Sequence, residues 1–472
     1  MNLWIPLLDL LEHSVALSGD RVKVLDAPRV RSKMEKLAFQ AALAEPETRR
    51  RAQWLVRAVA LELGVVPASI HELYRARGRG EAPLGFTVPA VNLRALPFYA
   101  ARRAFRVMRD MDAAAVIFEI ARSEIGYTAQ RPAEYTAQIL AAAVAEGYQG
   151  PVFLQGDHFQ ISPKRYAEAP EDEEQAVRDL IDEALRAGFF NIDIDASTLV
   201  DIHKPTVDEQ QALNVRLSAE LTAFLRGLEP EGVTVSVGGE IGEVGGRNST
   251  EPELRAYMDG FNKALAELAP GASGLSKISI QTGTSHGGVV LPDGTLARVK
   301  VDFDTLRHLS RVAREVYGLG GAVQHGASTL PPDAFSKFPE AEAVEIHLAT
   351  NFMNILYDLI PNALRQEMYA YVAEHHAQER KPGMTEEQFY YKARKRAIGP
   401  FKAELWALDE AVKEAAGETW EAMFRNIFGQ LGVAGTREVV ERFVRPVVIR
   451  PDLKAYLGPE AGDEEDLSDL AD

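Results

Sequence analysis

The residues best suited to chemistry in this chain are Gln155-Gly156-Asp157-His158, which close the apolar run Val152-Phe153-Leu154. A strand that stops at an acid followed at once by a histidine sets a proton-transfer group beside a metal ligand. Of the ten histidines, three more lie at or just beyond the ends of apolar runs: His286 in Gly283-Thr284-Ser285-His286-Gly287-Gly288, His325 in Gln324-His325-Gly326-Ala327-Ser328-Thr329, and His347. Three neutral imidazoles and a water make an open zinc site. Glu240 and Asp195, each ending a further apolar run, offer another ligand or a second cation position. The glycine turns add exposed backbone N–H groups of the kind that hold phosphate, with Gly287, Gly288, Gly326, Ala327, Ser328 and Thr350 as the candidates.

These turns converge only if the runs before them are strands opening onto one rim. Eight β-rich runs alternate with amphipathic helices, at 86–92, 114–120, 151–157, 191–195, 233–240, 277–283, 321–325 and 343–349. Between the third and fourth, Ala176, Val177, Leu180, Ile181, Ala184 and Leu185 share one helical face and Gly188 closes the helix. Between the sixth and seventh, Phe303, Leu306, Leu309, Ala313 and Val316 do the same. Eight strands with crossover helices predict an α/β fold, a closed parallel (β/α)8 TIM barrel, rather than an open doubly wound sheet.

Strand parity adds direction. In Asn191-Ile192-Asp193-Ile194-Asp195 the isoleucines must pack on the helices, so Asp193 and Asp195 point inward. Val233, Val235 and Val237 place Ser236, Gly238 and Glu240 inside, and Val344, Ile346 and Leu348 do so for Glu345 and His347. Bare carboxylates inside a barrel are costly, so a lysine, an arginine or a metal must meet them.

The barrel spans 86–355. Residues 1–85 read as a mostly helical extension, with a capping box from Ser69 to Glu72 and a linker at 78–83. Residues 356–457 form a second helical extension, with a helix start at Thr385, a break at Gly399-Pro400 and a basic cluster around Lys392, Arg394, Lys395 and Arg396 that reads as a solvated face. Residues 458–472 form an acidic, disordered tail.

Composition narrows the classes. The chain has no cysteine, which excludes disulfides and thiolate metal sites and fits a cytoplasmic location. No apolar run approaches the roughly 20 residues of a membrane span, and Asp9 and Glu12 interrupt the N-terminal apolar stretch, so neither a membrane anchor nor a signal peptide is expected. The net charge is −17, of which the tail supplies seven, leaving −10 and no basic field for nucleic acid.

The motifs together resemble class II fructose-bisphosphate aldolases. The resemblance rests on Gly156-Asp157-His158, Asp195-Ala196-Ser197, Gly239-Glu240-Ile241-Gly242 followed by Gly245-Gly246, Gly283-Thr284-Ser285-His286-Gly287, His325-Gly326-Ala327-Ser328 and Leu348-Ala349-Thr350, in order and spacing over roughly 86–355. It implies that His158, His286 and His325 hold a catalytic Zn2+ or another divalent cation, and that Asp157 moves the proton of the C4 hydroxyl. Asp195 and Glu240 match positions that hold the metal at a second, buried site. Gly287, Gly326, Ala327, Ser328, His347, Leu348, Ala349 and Thr350 match contacts to substrate and phosphate. Glu251 or Glu253 matches the mobile-loop acid that serves C3 of the dihydroxyacetone half. The implied reaction cleaves a phosphorylated sugar, fructose 1,6-bisphosphate, to dihydroxyacetone phosphate and glyceraldehyde 3-phosphate in a homo-oligomer of two or more chains.

Three departures stand out: Ala327 replaces a family glycine, His347 replaces an asparagine, and the helical extensions exceed the usual barrel. Other readings are a metal-dependent hydrolase, which would favour a His-x-His pair that this sequence lacks; a non-catalytic barrel subunit, which predicts a degraded ligand set; and an aldolase for another ketose such as tagatose 1,6-bisphosphate. A lysine-based aldolase is disfavoured, because Lys277 begins its strand at the opposite rim.

Overall fold

The computed structural model describes residues 4–242, 247–283, 291, 301–328, 330–458, 467 and 470. Eleven strands are described: β1 (Val15–Ser18), β2 (Arg21–Val24), β3 (Val65–Pro67), β4 (Val88–Asn92), β5 (Ile117–Ala121), β6 (Gly150–Gln160), β7 (Asn191–Asp195), β8 (Ser236–Glu240), β9 (Lys277–Ile280), β10 (Ala322–Gln324) and β11 (Glu345–Leu348). From β4 to β11 each strand pairs in parallel with the next, and β11 returns to β4. The sheet is the expected closed eight-stranded barrel. Crossover helices such as Pro97–Asp110, Pro170–Ala187 and Phe303–Tyr317 bury their apolar faces on it, and the last two end at left-handed Gly188 and Gly318 as their sequences require.

Two strands start three residues later than their sequences suggest, each because a side chain takes the backbone donor first. The N–H groups of Ala114 and Ala115 donate to Thr436 Oγ1 at 3.1 and 3.2 Å, so β5 starts at Ile117. Val235 N donates to Glu229 Oε1 at 2.6 Å, and β8 starts at Ser236.

The region before the barrel is not purely helical. β1 and β2 form an antiparallel hairpin, and β3 adds to the beginning of β6. The expected Ser69–Glu72 capping box does not form: Ser69 Oγ accepts from His71 N at 3.1 Å, and Ile70 N is held by Asn191 Oδ1 at 2.9 Å. That anchor ties helix His71–Gly78 across the N-terminal end of the barrel. The stretch 78–83 is packed rather than a free linker. A Cβ on Gly78 would lie 2.2 Å from the carbonyl oxygen of Gly318, and buried Arg77 donates to Phe86 O at 2.7 Å.

After the barrel, Thr385 caps helix Glu386–Ala393 as expected. Helix Glu410–Gln430 lies on Pro97–Asp110, where Arg103 and Arg106 meet Glu421 at 3.3 and 3.4 Å. Arg394 departs from the solvated face expected of its cluster. It is buried, donates to Asn354 Oδ1 at 2.6 Å, and lies 4.7 and 4.6 Å over the rings of Tyr357 and Tyr391. Within the acidic tail from 458, only 458, 467 and 470 fall among the described residues. No helix of the described residues is long and apolar enough to cross a membrane.

Candidate active site

The site begins with a fault in β6. Against β7, the register of β6 shifts between Gly156 and Phe159, where one extra residue is inserted. His158 takes a left-handed φ of 40°, which costs a non-glycine residue on the order of 1 kcal/mol. Strand residues ordinarily alternate faces, but the bulge lets Asp157 and His158 both point inward. Phe159 then folds back over Gly156, where a Cβ would come within 2.4 Å of its ring.

At the C-terminal mouth these two side chains meet residues from four other strand ends. His158 Nδ1 lies 2.9 Å from Asp195 Oδ2. The His325 ring sits 4.3 Å from that of His158 and 4.1 Å from that of His347, centroid to centroid. Asp157 Oδ1 lies 3.1 Å from His347 Nδ1, 3.5 Å from His325 Nε2 and 3.9 Å from His158 Nε2. Glu240 Oε2 approaches His325 Nδ1 at 3.7 Å, while Glu240 Oε1 accepts from Gly242 N at 2.9 Å.

The electrostatics follow from this crowding. Burial opposes ionisation of Asp157, but the His158 and His347 rings hold its carboxyl well below the usual range. Burial also opposes charge on His158, yet Asp157 and Asp195 lift it to about 10. Burial and the neighbouring rings of His347 and His158 push His325 well down. Glu240 rises to about 7, through burial and then the charge of Asp195.

The donor atoms of Asp157, His158 and His325 lie within 4.8 Å of one another, all buried. Two imidazoles and a carboxylate fit a divalent cation of the zinc class. The Asp195 contact to the other His158 nitrogen is the kind of outer bond that fixes a ligating ring. Glu119, Glu345 and His347 also converge, but that pocket is already filled with donors. Glu345 accepts from Tyr74 Oη, Lys277 Nζ, Gln155 Nε2 at 2.9 Å and His347 Nε2 at 2.7 Å.

Lys277 is the interior cation that the inward carboxylates require. Its ammonium reaches Asp193 Oδ2 at 2.9 Å and Gln155 Oε1 at 2.8 Å as well as Glu345. Burial disfavours its charge, but Asp193 and Glu345 raise its pKa above the ordinary lysine value. Gly238 makes room for this meeting, since a Cβ there would lie 2.2 Å from Asp193 Oδ1 and 2.8 Å from Lys277 Cε. Sequence reasoning did not include Glu119, Lys277 or Tyr74 in the site. A lone acid in Ile117-Phe118-Glu119-Ile120 and an inward glycine opposite Asp193 were the available signals.

The remaining sequence candidates divide. His286, Gly287 and Gly288 lie outside the described residues, as does the Gly245-Gly246 pair. Gly326–Ser328 and Leu348–Thr350 do meet: Ser328 Oγ accepts from Ala349 N at 2.6 Å, beside the start of helix Thr350–Leu359. Ala327 is fully buried. Glu251 and Glu253 are engaged away from the cluster. Glu253 Oε2 accepts from Thr250 N and Oγ1 at 2.7 Å, and Glu251 meets Arg255 and His308 at 2.7 Å.

A family profile described as Fructose-bisphosphate aldolase class-II matches residues 82–413, which include both the barrel and this cluster. The chain belongs to the class II fructose-bisphosphate aldolase family. It is therefore an aldolase, a carbon–carbon lyase of a metal-dependent family. No match is found among curated protein sequences. Among solved structures, a probable tagatose 6 phosphate kinase from Sinorhizobium meliloti 1021 is 18% identical, with 76% of this chain and 99% of that chain covered and a TM-score of 0.52. A fructuronate-tagaturonate epimerase from Cohnella laeviribosi is 11% identical, with 89% and 90% covered and a TM-score of 0.51. A putative fructose-1,6-biphosphate aldolase from Coccidioides immitis is 18% identical, with 79% and 99% covered and a TM-score of 0.42. At such identities the first two likenesses speak to the fold of the aldolase alone.

Proposed function

We propose that this aldolase cleaves and re-forms the C3–C4 bond of a ketose bisphosphate, fructose 1,6-bisphosphate, with Zn2+ held by His158, His286 and His325. The observation that carries the reading is the Asp157 carboxylate, ionised and buried within 3.1 to 3.9 Å of three imidazoles at the barrel mouth. When bound, the metal supplies Lewis-acid stabilisation of the negative charge that develops on the substrate.

The chain's own residues do the rest. In cleavage Asp157 accepts the C4 hydroxyl proton, the C3–C4 electron pair moves to C3, the aldehyde half departs, and C3 then takes up a proton from water; in synthesis C3 first gives up that proton and Asp157 returns its own to the C4 oxygen. Asp195 orients the His158 ring, and Glu240 stands beside His325 as a further carboxylate for the cation. The Gly326–Ser328 turn and Leu348–Thr350 hold a phosphate at the start of helix Thr350–Leu359. Residues 86–355 form the catalytic unit, and the helical segments before and after it brace its walls.

The test combines a metal assay with turnover of a panel of phosphorylated ketoses that includes fructose and tagatose 1,6-bisphosphates. A chelator should abolish cleavage and Zn2+ should restore it; full activity in verified metal-free protein would overturn the mechanism. Asp157→Ala should retain the metal and lose cleavage by at least about 10²-fold. If the metal is lost as well, Asp157 is a ligand.

A further inference from the structure

His347 stands where the sequence resemblance suggested a substrate contact, but its surroundings describe a different task. It is 5% exposed, the His325 ring packs against its face at 4.1 Å, and the groups within 4 Å of its ring nitrogens are the carboxylates of Glu119, Asp157, Asp193 and Glu345. Nε2 is 2.7 Å from Glu345 Oε1, while Nδ1 is 3.1 Å from both Asp157 Oδ1 and Glu119 Oε2. Nε2 is hydrogen-bonded to Glu345, whereas Nδ1 faces Asp157 and Glu119 as a close charge contact without an aligned hydrogen bond.

We propose that His347 is a positioning residue: braced from beneath by Glu345 and Lys277, it holds the Asp157 carboxylate in the orientation used for proton transfer. The inference rests on the assignment of Asp157 as the proton-transfer group. Of the three imidazoles around Asp157 Oδ1, His347 is the nearest, and the other two are the rings assigned to the metal. Glu119 has its own hydrogen-bond donor in Gln155 Nε2 at 3.0 Å, so it does not depend on His347. The brace is itself fixed. Glu345 cannot swing while Tyr74, Gln155 and Lys277 all donate to it, and Lys277 is tied across the barrel to Asp193. A chain of contacts thus runs from the closed end of the barrel to the reacting group, and its last link is an imidazole bonded to Glu345 at Nε2 with Nδ1 set against the Asp157 carboxylate.

The test uses full-length, zinc-loaded His347→Gln, with His347→Asn as a second variant should the first fold poorly, and Glu345→Gln to loosen the brace. Removing a partner that orients a catalytic group is expected to lower kcat roughly 10- to 100-fold. KM for the ketose bisphosphate and the zinc content should stay at wild-type values, and a crystal structure of the variant should show the Asp157 carboxylate rotated. Glu345→Gln should give a smaller loss with the same split. A raised KM at unchanged kcat would make His347 a substrate contact, and zinc loss would make it a ligand; either overturns the proposal. So would a fall in kcat with Asp157 unmoved. If wild-type protein cleaves no ketose in the panel, the aldolase substrate reading fails, while the crystallographic comparison of Asp157 still judges this inference.

Discussion

The two ends of the barrel interior treat the same residue types in opposite ways. At the closed end, Glu345 collects four donors and Lys277 three acceptors, so each charge is matched by bonded neighbours. At the mouth, Asp157 and His325 face one another at 3.5 Å and His325 and Glu240 at 3.7 Å, separations too long for good hydrogen bonds. The closed end is assembled to be stable and the mouth to be completed by something else. Buried charge is tolerated in both places, but at the mouth Asp157 Oδ1, His158 Nε2 and His325 Nε2 face one another around a common point without hydrogen-bonding one another.

That contrast can be broken by three substitutions of decreasing expected effect. His325→Ala, at the mouth, should eliminate metal retention and cleavage, with metal-free stability in a urea titration changed by no more than about 1 kcal/mol. A large loss of stability there would make the mouth structural. Lys277→Met, at the closed end, leaves Asp193 and Glu345 without their shared cation, and breaking a buried pair in this way costs about 3–5 kcal/mol. Wild-type stability in that variant would show that the carboxylates can shed their charge cheaply.

The smallest effect sharpens the picture of the closed end. His71, at the start of the helix that seals it, is 5% exposed, and burial together with nearby Arg226 and Arg75 lowers its pKa to about 3. Folded His71 stays neutral while the unfolded chain takes up a proton below pH 6.5, so stability falls as the pH drops from there towards 3. At pH 4.5 this amounts to roughly 2–3 kcal/mol. His71→Gln should flatten the acid side of the stability curve by that amount relative to neutral pH, and an unchanged slope would show that His71 is solvated enough to protonate in place.

Much of the mouth was legible because barrel geometry is a simple rule applied to strand ends. Parity alone turned Asp193, Asp195, Glu240, Glu345 and His347 inward, and the crossover helices announced themselves through their apolar faces and the closing Gly188. The closed end was harder. Tyr74 arrives from a helix outside the eight repeating units, and nothing local to its sequence says that it will reach Glu345. Lys277 starts its strand at the far rim, but its four-carbon stem carries the ammonium inward to Asp193 and Glu345, a reach that strand position does not convey. Glu119 was hidden in an otherwise apolar run. The strand starts at Ile117 and Ser236 were set by Thr436 and Glu229, residues from outside those strands whose hydrogen bonds competed for the backbone.

The extra residue in β6 has a further meaning. A regular strand can show the lumen only one of two neighbouring side chains, so an acid and a histidine adjacent in sequence would ordinarily be divided between the barrel interior and its helical coat. The slip between Gly156 and Phe159 lifts that exclusion at one point. Removing a single residue there would restore perfect pairing with β7 and turn one member of the Asp157-His158 couple out of the site. In this barrel a flawless sheet and a working mouth are alternatives, and the chain has kept the flaw.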